Sequence, residues 1–282
     1  MKERRWFNKI SSAFKIHKHQ HSDKDHEMSK NASRKTRQKQ ADLHLISNNQ
    51  EAMMEGPQKK KWTKHDIKAI RPLTDNQKEM FNLYGLDYQI CAAGSAGTGK
   101  TFLALYLGIC DVLDGNSNYN HLKIVRSAVP TRDLGFMKGS YEDKVGFYEL
   151  PYIDIMNDLF GRTSTYHDMK DAGLIRFITT SYIRGLTWDN CVIVVDEGQN
   201  MTWHEINSVM TRIGTNSKII FTGDVAQTDL DRKTNDKSGM KRFMKTIEKM
   251  PEFACVKFTV DDIVRSDIVR SWVMASEQTE NE

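Results

Sequence analysis

The chain has 282 residues, enough for one large domain or one domain with an appendage, and its 39% hydrophobic and 28% charged residues are an ordinary globular balance. The longest apolar run, Phe102 to Cys110, falls well short of the roughly 20 residues that cross a bilayer. Lys2, Arg4 and Arg5 are followed by no apolar core or cleavage site, so a cytoplasmic setting without membrane contact is expected.

The net charge of +4 is unevenly divided. Residues 1–64 hold sixteen Lys and Arg against seven Asp and Glu, a surplus of +9 that leaves −5 on the remainder. This stretch is poor in aliphatic residues and contains polar runs such as Ser29 to Gln40, so it cannot offset its own chain entropy and is expected as a basic, disordered extension. His17, His19, His21 and His26 read as part of that solvated tract, not as a metal site. Lys59, Lys60 and Lys61 beside Trp62 fit either a phosphate backbone with an indole stacked on a base, or the basic edge of a linker. A single domain is expected over 65–282. The four cysteines, Cys91, Cys110, Cys191 and Cys255, lie far apart among apolar neighbours and read as reduced, buried packing residues.

Thr74 and Gln77 have the spacing of a capping box and open a helix through Phe81. Tyr88 to Ala93 reads as a strand running into Gly94-Ser95-Ala96-Gly97-Thr98-Gly99-Lys100-Thr101, and Phe102 to Cys110 continues as a buried helix. Four further strand-like runs follow at Leu122 to Val125, Ile175 to Thr179, Cys191 to Val195 and Lys218 to Phe221. This alternation predicts an α/β fold with a mostly parallel sheet flanked by helices, and ligands beyond the carboxyl ends of the strands.

The glycine loop matches the Walker A pattern in full, in the strand and helix context that pattern requires. Gly94, Gly97 and Gly99 allow backbone angles that turn successive N–H groups, those of Ser95, Ala96 and Thr98 among them, toward a phosphate at a helix N-terminus. Lys100 is then placed for the β- and γ-phosphates of ATP and Thr101 for Mg²⁺. Val192 to Val195 ends in Asp196 and Glu197, which strand alternation points in different directions. Asp196 is the candidate Mg²⁺ partner and Glu197 the candidate to orient or deprotonate water, which favours hydrolysis over transfer to a small acceptor. Gln227, in Gly223-Asp224-Val225-Ala226-Gln227, can donate and accept, and suits a bridge between γ-phosphate and water. Gly223-Asp224 also reads as a plain turn.

Walker A, the Asp196-Glu197-Gly198-Gln199-Asn200 run and the Gly223 to Gln227 run, in this order, resemble the PhoH family of ATPases, related to the core of superfamily 1 helicases. The likeness runs from about Arg71 to the C-terminus and takes in Gly135-Phe136, Glu142 to Lys144, Pro151, Asp154, Arg184-Gly185, Met210 to Gly214 and Asp262 to Arg265. It implies a RecA-like fold, ATP binding and hydrolysis, assembly into rings and a connection with RNA. It also implies that Gln77 contacts adenine, beside its capping role, and that Arg212 and Arg265 stabilise charge on the transferred phosphoryl group, against the alternative of surface salt bridges. The repeat of Asp-Ile-Val-Arg-Ser at 262–266 and 267–271 leaves Arg265 and Arg270 undecided by pattern. Gly198, Leu186, Met210 and Lys138 depart from the family's usual alanine, arginine, leucine and proline.

With one RecA-like core, the site is expected to be completed by a neighbouring copy in a homo-oligomer, a ring, for example a hexameric one, being the natural closed form of head-to-tail contact. Two functions fit: an ATPase coupled to single-stranded RNA or DNA, and an ATP-switched module that binds another protein and turns over slowly.

Overall fold

A computed structural model describes residues 62–127, 141–183, 185–224 and 238–280. Residues 1–61 of the N-terminal extension, Gly135, Phe136, Lys138, Arg184 and Gln227 lie outside the described residues.

The core is a six-stranded sheet, every pairing parallel. Its strands are β1 (Gln89–Gly94), β2 (His121–Arg126), β3 (Ile175–Thr179), β4 (Cys191–Asp196), β5 (Lys218–Gly223) and β6 (Phe253–Phe258). They lie side by side in the order β3-β2-β4-β5-β1-β6. The five strand-like runs of the sequence are β1 to β5, and β4 and β5 are buried at every position, as unbroken apolar runs in a two-sided parallel sheet require. Sequence reasoning missed β6. It is an edge strand in which exposed Cys255 and Lys257 alternate with buried Val256 and Phe258, so it lacks the apolar run that marks its neighbours.

Helices cover both faces. On one lie α1 (Asp75–Gly85), α2 (Lys100–Val112), α3 (Tyr141–Phe160) and α4 (Thr165–Asp171), packed around Met80, Leu105, Tyr152 and Tyr166. On the other lie α5 (Trp203–Met210) and α6 (Met240–Ile247), packed around Trp188, Phe221 and Phe243. A last helix, α7 (Asp267–Glu280), follows the edge strand. Gly108 of α2 allows the helix to press on the sheet: a Cβ there would stand 2.7 Å from a Leu122 methyl and 3.1 Å from one of Val192.

Two expectations are corrected. Trp62 is only 2% exposed, packed edge to face on Phe160 at 5.5 Å and against the Arg162 guanidinium at 5.3 Å, so its indole belongs to the core and cannot stack on a base. The globular unit therefore takes in residues upstream of His65. Nor are all four cysteines buried and apart: all are free thiols, but Cys255 is exposed and stands directly opposite Cys91 across β1 and β6.

That pairing makes the two thiols unlike. A hydrogen bond from Cys91, helped by Lys257 and opposed by burial, Glu248 and Glu79, brings the Cys255 thiol down to about 7, while the same contact and burial push Cys91 well above the usual thiol range. Since the thiolate is the nucleophile, iodoacetamide should label Cys255 at a rate that climbs as pH rises through about 7, leaving Cys91 unmodified. Peptide mass spectrometry checks this, and equal labelling of both would contradict it.

Candidate functional site

The glycine loop is built by backbone fit. Gly94, Gly97 and Gly99 have φ of 135°, 76° and 84°, values open to glycine at little cost. At Gly94 a Cβ would also lie 1.8 Å from the Phe258 carbonyl oxygen, which accepts the Ser95 N–H at 3.2 Å. The edge strand β6 thus braces the loop from behind. The Gly97 carbonyl accepts the Val264 N–H at 3.2 Å, tying the loop to the segment after β6. Gly94→Ala should therefore destabilise the fold by about 3 kcal/mol or more, read from a denaturant titration, with wild-type stability as the contrary result.

Lys100 opens α2 and folds back into the loop. Its Nζ donates to the carbonyls of Gly94 at 2.8 Å and Ser95 at 2.6 Å and to the Thr98 hydroxyl at 3.1 Å. Burial lowers its pKa, against the pull of Asp224, Glu197 and Asp196. A cation held in a glycine loop at a helix N-terminus suits a polyphosphate.

The strand order brings the second half of the site to this loop. β5 separates β1 from β4, so Asp196, at the end of β4, faces Thr101 across the carboxyl end of β5. Thr101 Oγ1 donates to Asp196 Oδ1 at 2.7 Å, and Thr222 of β5 donates to the same oxygen at 2.5 Å. Among the described residues no cluster of three or more His, Cys, Asp or Glu gathers for a metal. A hydroxyl and one carboxylate instead fit Mg²⁺ held jointly with phosphate oxygens and water.

Glu197 follows with φ 53°, a left-handed backbone that costs a non-glycine residue energy and turns the chain sharply off the strand. Gln199 Nε2 donates to Glu197 Oε2 at 2.6 Å, and Gln199 Oε1 accepts the Asp224 N–H at 2.9 Å. Gln199 therefore joins the acid to the end of β5. Gly223 leaves room for it, since a Cβ there would stand 2.9 Å from Gln199 Oε1. Gly198 is similarly close-packed: a Cβ would lie 3.2 Å from the Thr222 carbonyl and 3.3 Å from the Met240 sulfur.

Two adjoining cavities complete the cleft. The smaller, about 240 Å³, is walled by Ala96, Gly97, Lys100, Thr101, Asp196, Glu197, Gln199 and Asp224. The larger, about 440 Å³, is walled chiefly by Ile70, Leu73, Gln77, Leu103, Asp154, Asp158 and Val264, and Gly99, Phe102 and Arg265 border both. A flat apolar group with a polyphosphate tail matches that shape. Thr74 is the N-cap of α1, accepting the Gln77 N–H at 3.3 Å, while the Gln77 side chain reaches back to the Leu73 N–H at 2.8 Å and not to Thr74 itself. Its Nε2 donates to the Thr98 carbonyl at 3.1 Å, so Gln77, whose own N–H is capped by Thr74, joins the larger cavity to the loop.

The arginines separate. Arg265 borders both cavities with its aliphatic stem over Gly97, whereas Arg270 pairs with Asp261 at 3.1 Å on the surface. Arg212 is not brought into the cleft of its own chain. The run through α5 carries it to the amino end of β4, where its carbonyl accepts the Trp188 N–H at 2.8 Å and its Nη1 donates to the Leu186 carbonyl at 3.2 Å. Sequence reasoning assigned no role to Gln199, Thr222, Asp224 or Tyr152, whose hydroxyl donates to Asp196 Oδ2 at 2.9 Å. Strand-end position could have marked Thr222 and Asp224; no local signal marks Tyr152.

The sequence profile of the PhoH-like protein family matches residues 69–277, which hold the whole cleft. The chain belongs to the PhoH-like family. It is 35% identical over 189 residues to a PhoH-like protein of Synechocystis sp., covering 67% of this chain and 56% of that one. To a PhoH-like protein of Bacillus subtilis it is 31% identical over 212 residues, covering 74% and 64%, and to Protein PhoH of Escherichia coli 27% identical over 198 residues, covering 69% and 55%. The chain thus spans little more than half the length of these PhoH-like relatives. Among solved structures it is similar to Pif1 helicase from Candida albicans, with a TM-score of 0.33 and 15% identity over 67% of this chain and 41% of that one. The P-loop α/β fold expected from the sequence is the one observed. Among the described residues no helix is long and apolar enough to cross a membrane.

Proposed function

We propose that this PhoH-like chain binds ATP with Mg²⁺ and hydrolyses it, with turnover coupled to single-stranded RNA or DNA. The observation that carries the reading is the Thr101 to Asp196 hydrogen bond at the mouth of the glycine loop, with Glu197 fixed beside it by Gln199. In this reading the loop N–H groups and Lys100 hold the β- and γ-phosphates, and the purine lies in the larger cavity near Gln77. Mg²⁺ would be held by Thr101 and, through water, Asp196, and supplies neutralisation of phosphate charge. Glu197 orients a water and takes its proton as the water oxygen bonds to the γ-phosphorus. The bond to the β,γ-bridging oxygen breaks, and ADP and phosphate leave, with Arg265 and Lys100 facing the charge that develops.

The Glu197 carboxylate favours water over a small-molecule acceptor. Lys100→Ala and Glu197→Gln should each lower ATP turnover by about 10²-fold or more. Glu197→Gln should keep nucleotide binding, which Lys100→Ala weakens. Single-stranded RNA should raise the wild-type rate, by an interaction that falls steeply with salt. A phosphate-release assay with and without RNA decides. Retained turnover in both variants would remove the hydrolytic reading, and indifference to any single-stranded nucleic acid would favour the slow, ATP-switched protein-binding module.

We also propose that the working form is a homo-oligomer, with a ring, for example a hexamer, as the closed form of head-to-tail contact. Two features support it: Arg212 lies outside the cleft of its own chain, and Val264 at the larger cavity, with Ile268 and Trp272 a few residues on at 75% and 73% exposure, leaves apolar surface uncovered. Light scattering should show a mass above the monomer. A monomer at every concentration with undiminished turnover would contradict this.

A further inference from the structure

Helix α3 forms part of the wall of the larger cavity through Asp154 and Asp158 and reaches both cavities through Ile155. One turn earlier, Tyr152 points into the sheet with no exposed surface, its ring 5.7 Å from that of Phe177. Packing alone would be served as well by phenylalanine, and a buried phenol left without a partner would cost stability. The hydroxyl donates to Asp196 Oδ2 at 2.9 Å; burial and the Asp196 charge push the phenol well up, and the positive Arg126 guanidinium nearby acts against them. Arg126 is the direct neighbour of Asp196 across β2 and β4, and its guanidinium stands 5.5 Å from the ring centre of Tyr148, also on α3.

Asp196 is thereby held at both oxygens, Oδ1 by the hydroxyls of Thr101 and Thr222 and Oδ2 by Tyr152. A carboxylate anchored at one oxygen can turn about its last torsion, which has a broad minimum. Anchored at both, it presents its remaining lone pairs in fixed directions. A hydrated divalent ion needs that constancy, because the water between metal and carboxylate hydrogen-bonds well only over a narrow range of angles.

Resting on the Mg²⁺·ATP reading above, we infer that Tyr152, set in place by Arg126, is a positioning residue that fixes the Asp196 carboxylate for Mg²⁺. The same contact makes α3 the link between the wall of the larger cavity and the metal side of the cleft. Tyr152 itself touches neither nucleotide nor metal.

The test compares the full-length wild type and Tyr152→Phe by Mg²⁺ titration of binding to a fluorescent ADP analogue, by the same binding in EDTA, and by turnover. The Mg²⁺ concentration at half-saturation should rise about 10-fold or more, and turnover at saturating Mg²⁺ should fall about 10- to 100-fold. Binding in EDTA should stay at the wild-type value, and the thermal midpoint should fall only by the few degrees that one lost buried hydrogen bond costs. Arg126→Gln, at the half-buried end of a strand, should shift the Mg²⁺ dependence in the same direction, Arg126→Lys less so, and the Gln variant carries the test if Tyr152→Phe fails to fold. Wild-type Mg²⁺ dependence in the folded variants would overturn the inference. So would a loss of EDTA binding in proportion to activity, the mark of a merely structural role. A wild type that binds nucleotide with Mg²⁺ but does not turn it over would remove the hydrolytic reading while the binding titration still decides on Tyr152; binding that ignores Mg²⁺ would remove both.

Discussion

The cleft depends on one hydrogen bond, from the hydroxyl of Thr101 at the start of α2 to the carboxylate of Asp196 at the end of β4. It joins residues 95 apart in sequence, and it forms only because β5 lies between β1 and β4 and sets their carboxyl ends one strand apart. With β5 in that place, Thr222 reaches the same carboxylate oxygen and the Asp224 N–H meets Gln199. The glycine loop, the acidic strand end and the β5 turn are thus one hydrogen-bonded unit and not three independent motifs.

The rest of the globular unit holds that contact in register. Strand β6 presses the Phe258 carbonyl on Gly94, Val264 grips the Gly97 carbonyl, and Gln77 holds the Thr98 carbonyl. The loop is braced at three carbonyl or glycine positions by segments from both ends of the unit, and the Ser95 N–H is itself held by the Phe258 carbonyl. Buried β4 and β5 supply the rigid floor. Of the described non-glycine residues with left-handed backbone, Asp87, Asn190, Glu197 and Asn216, Glu197 is the one where chemistry is proposed, and Gln199 secures its carboxylate. Rigidity around a few strained residues is what orienting a phosphate chain and a water requires.

Much of this was legible in the sequence, for identifiable reasons. Strands β1 to β5 are apolar runs because a two-sided parallel sheet buries both faces, and the glycines of the loop are demanded by backbone angles, so each left a local trace. Edge strand β6 left none, because Cys255 and Lys257 on its exposed side break the run. Trp62 looked available for a ligand because its lysine neighbours are polar, and only packing against Phe160 puts it inside. The order of the sheet is not a local property, so the placing of Arg212 at the far end of β4 and of Tyr152 on Asp196, 44 residues away, could not be read from spacing. Between Arg265 and Arg270 the repeated pentapeptide was silent, and the packing of Arg265 over Gly97 separated them.

Isothermal titration calorimetry with purine nucleoside triphosphates at millimolar Mg²⁺ bears most directly on the cleft itself. Saturable binding of ATP to one site per chain, weakened when Mg²⁺ is withdrawn, is the outcome this arrangement of main-chain amides, Lys100, Thr101 and Asp196 demands. No heat of binding with any purine nucleotide, from a folded chain, would contradict it.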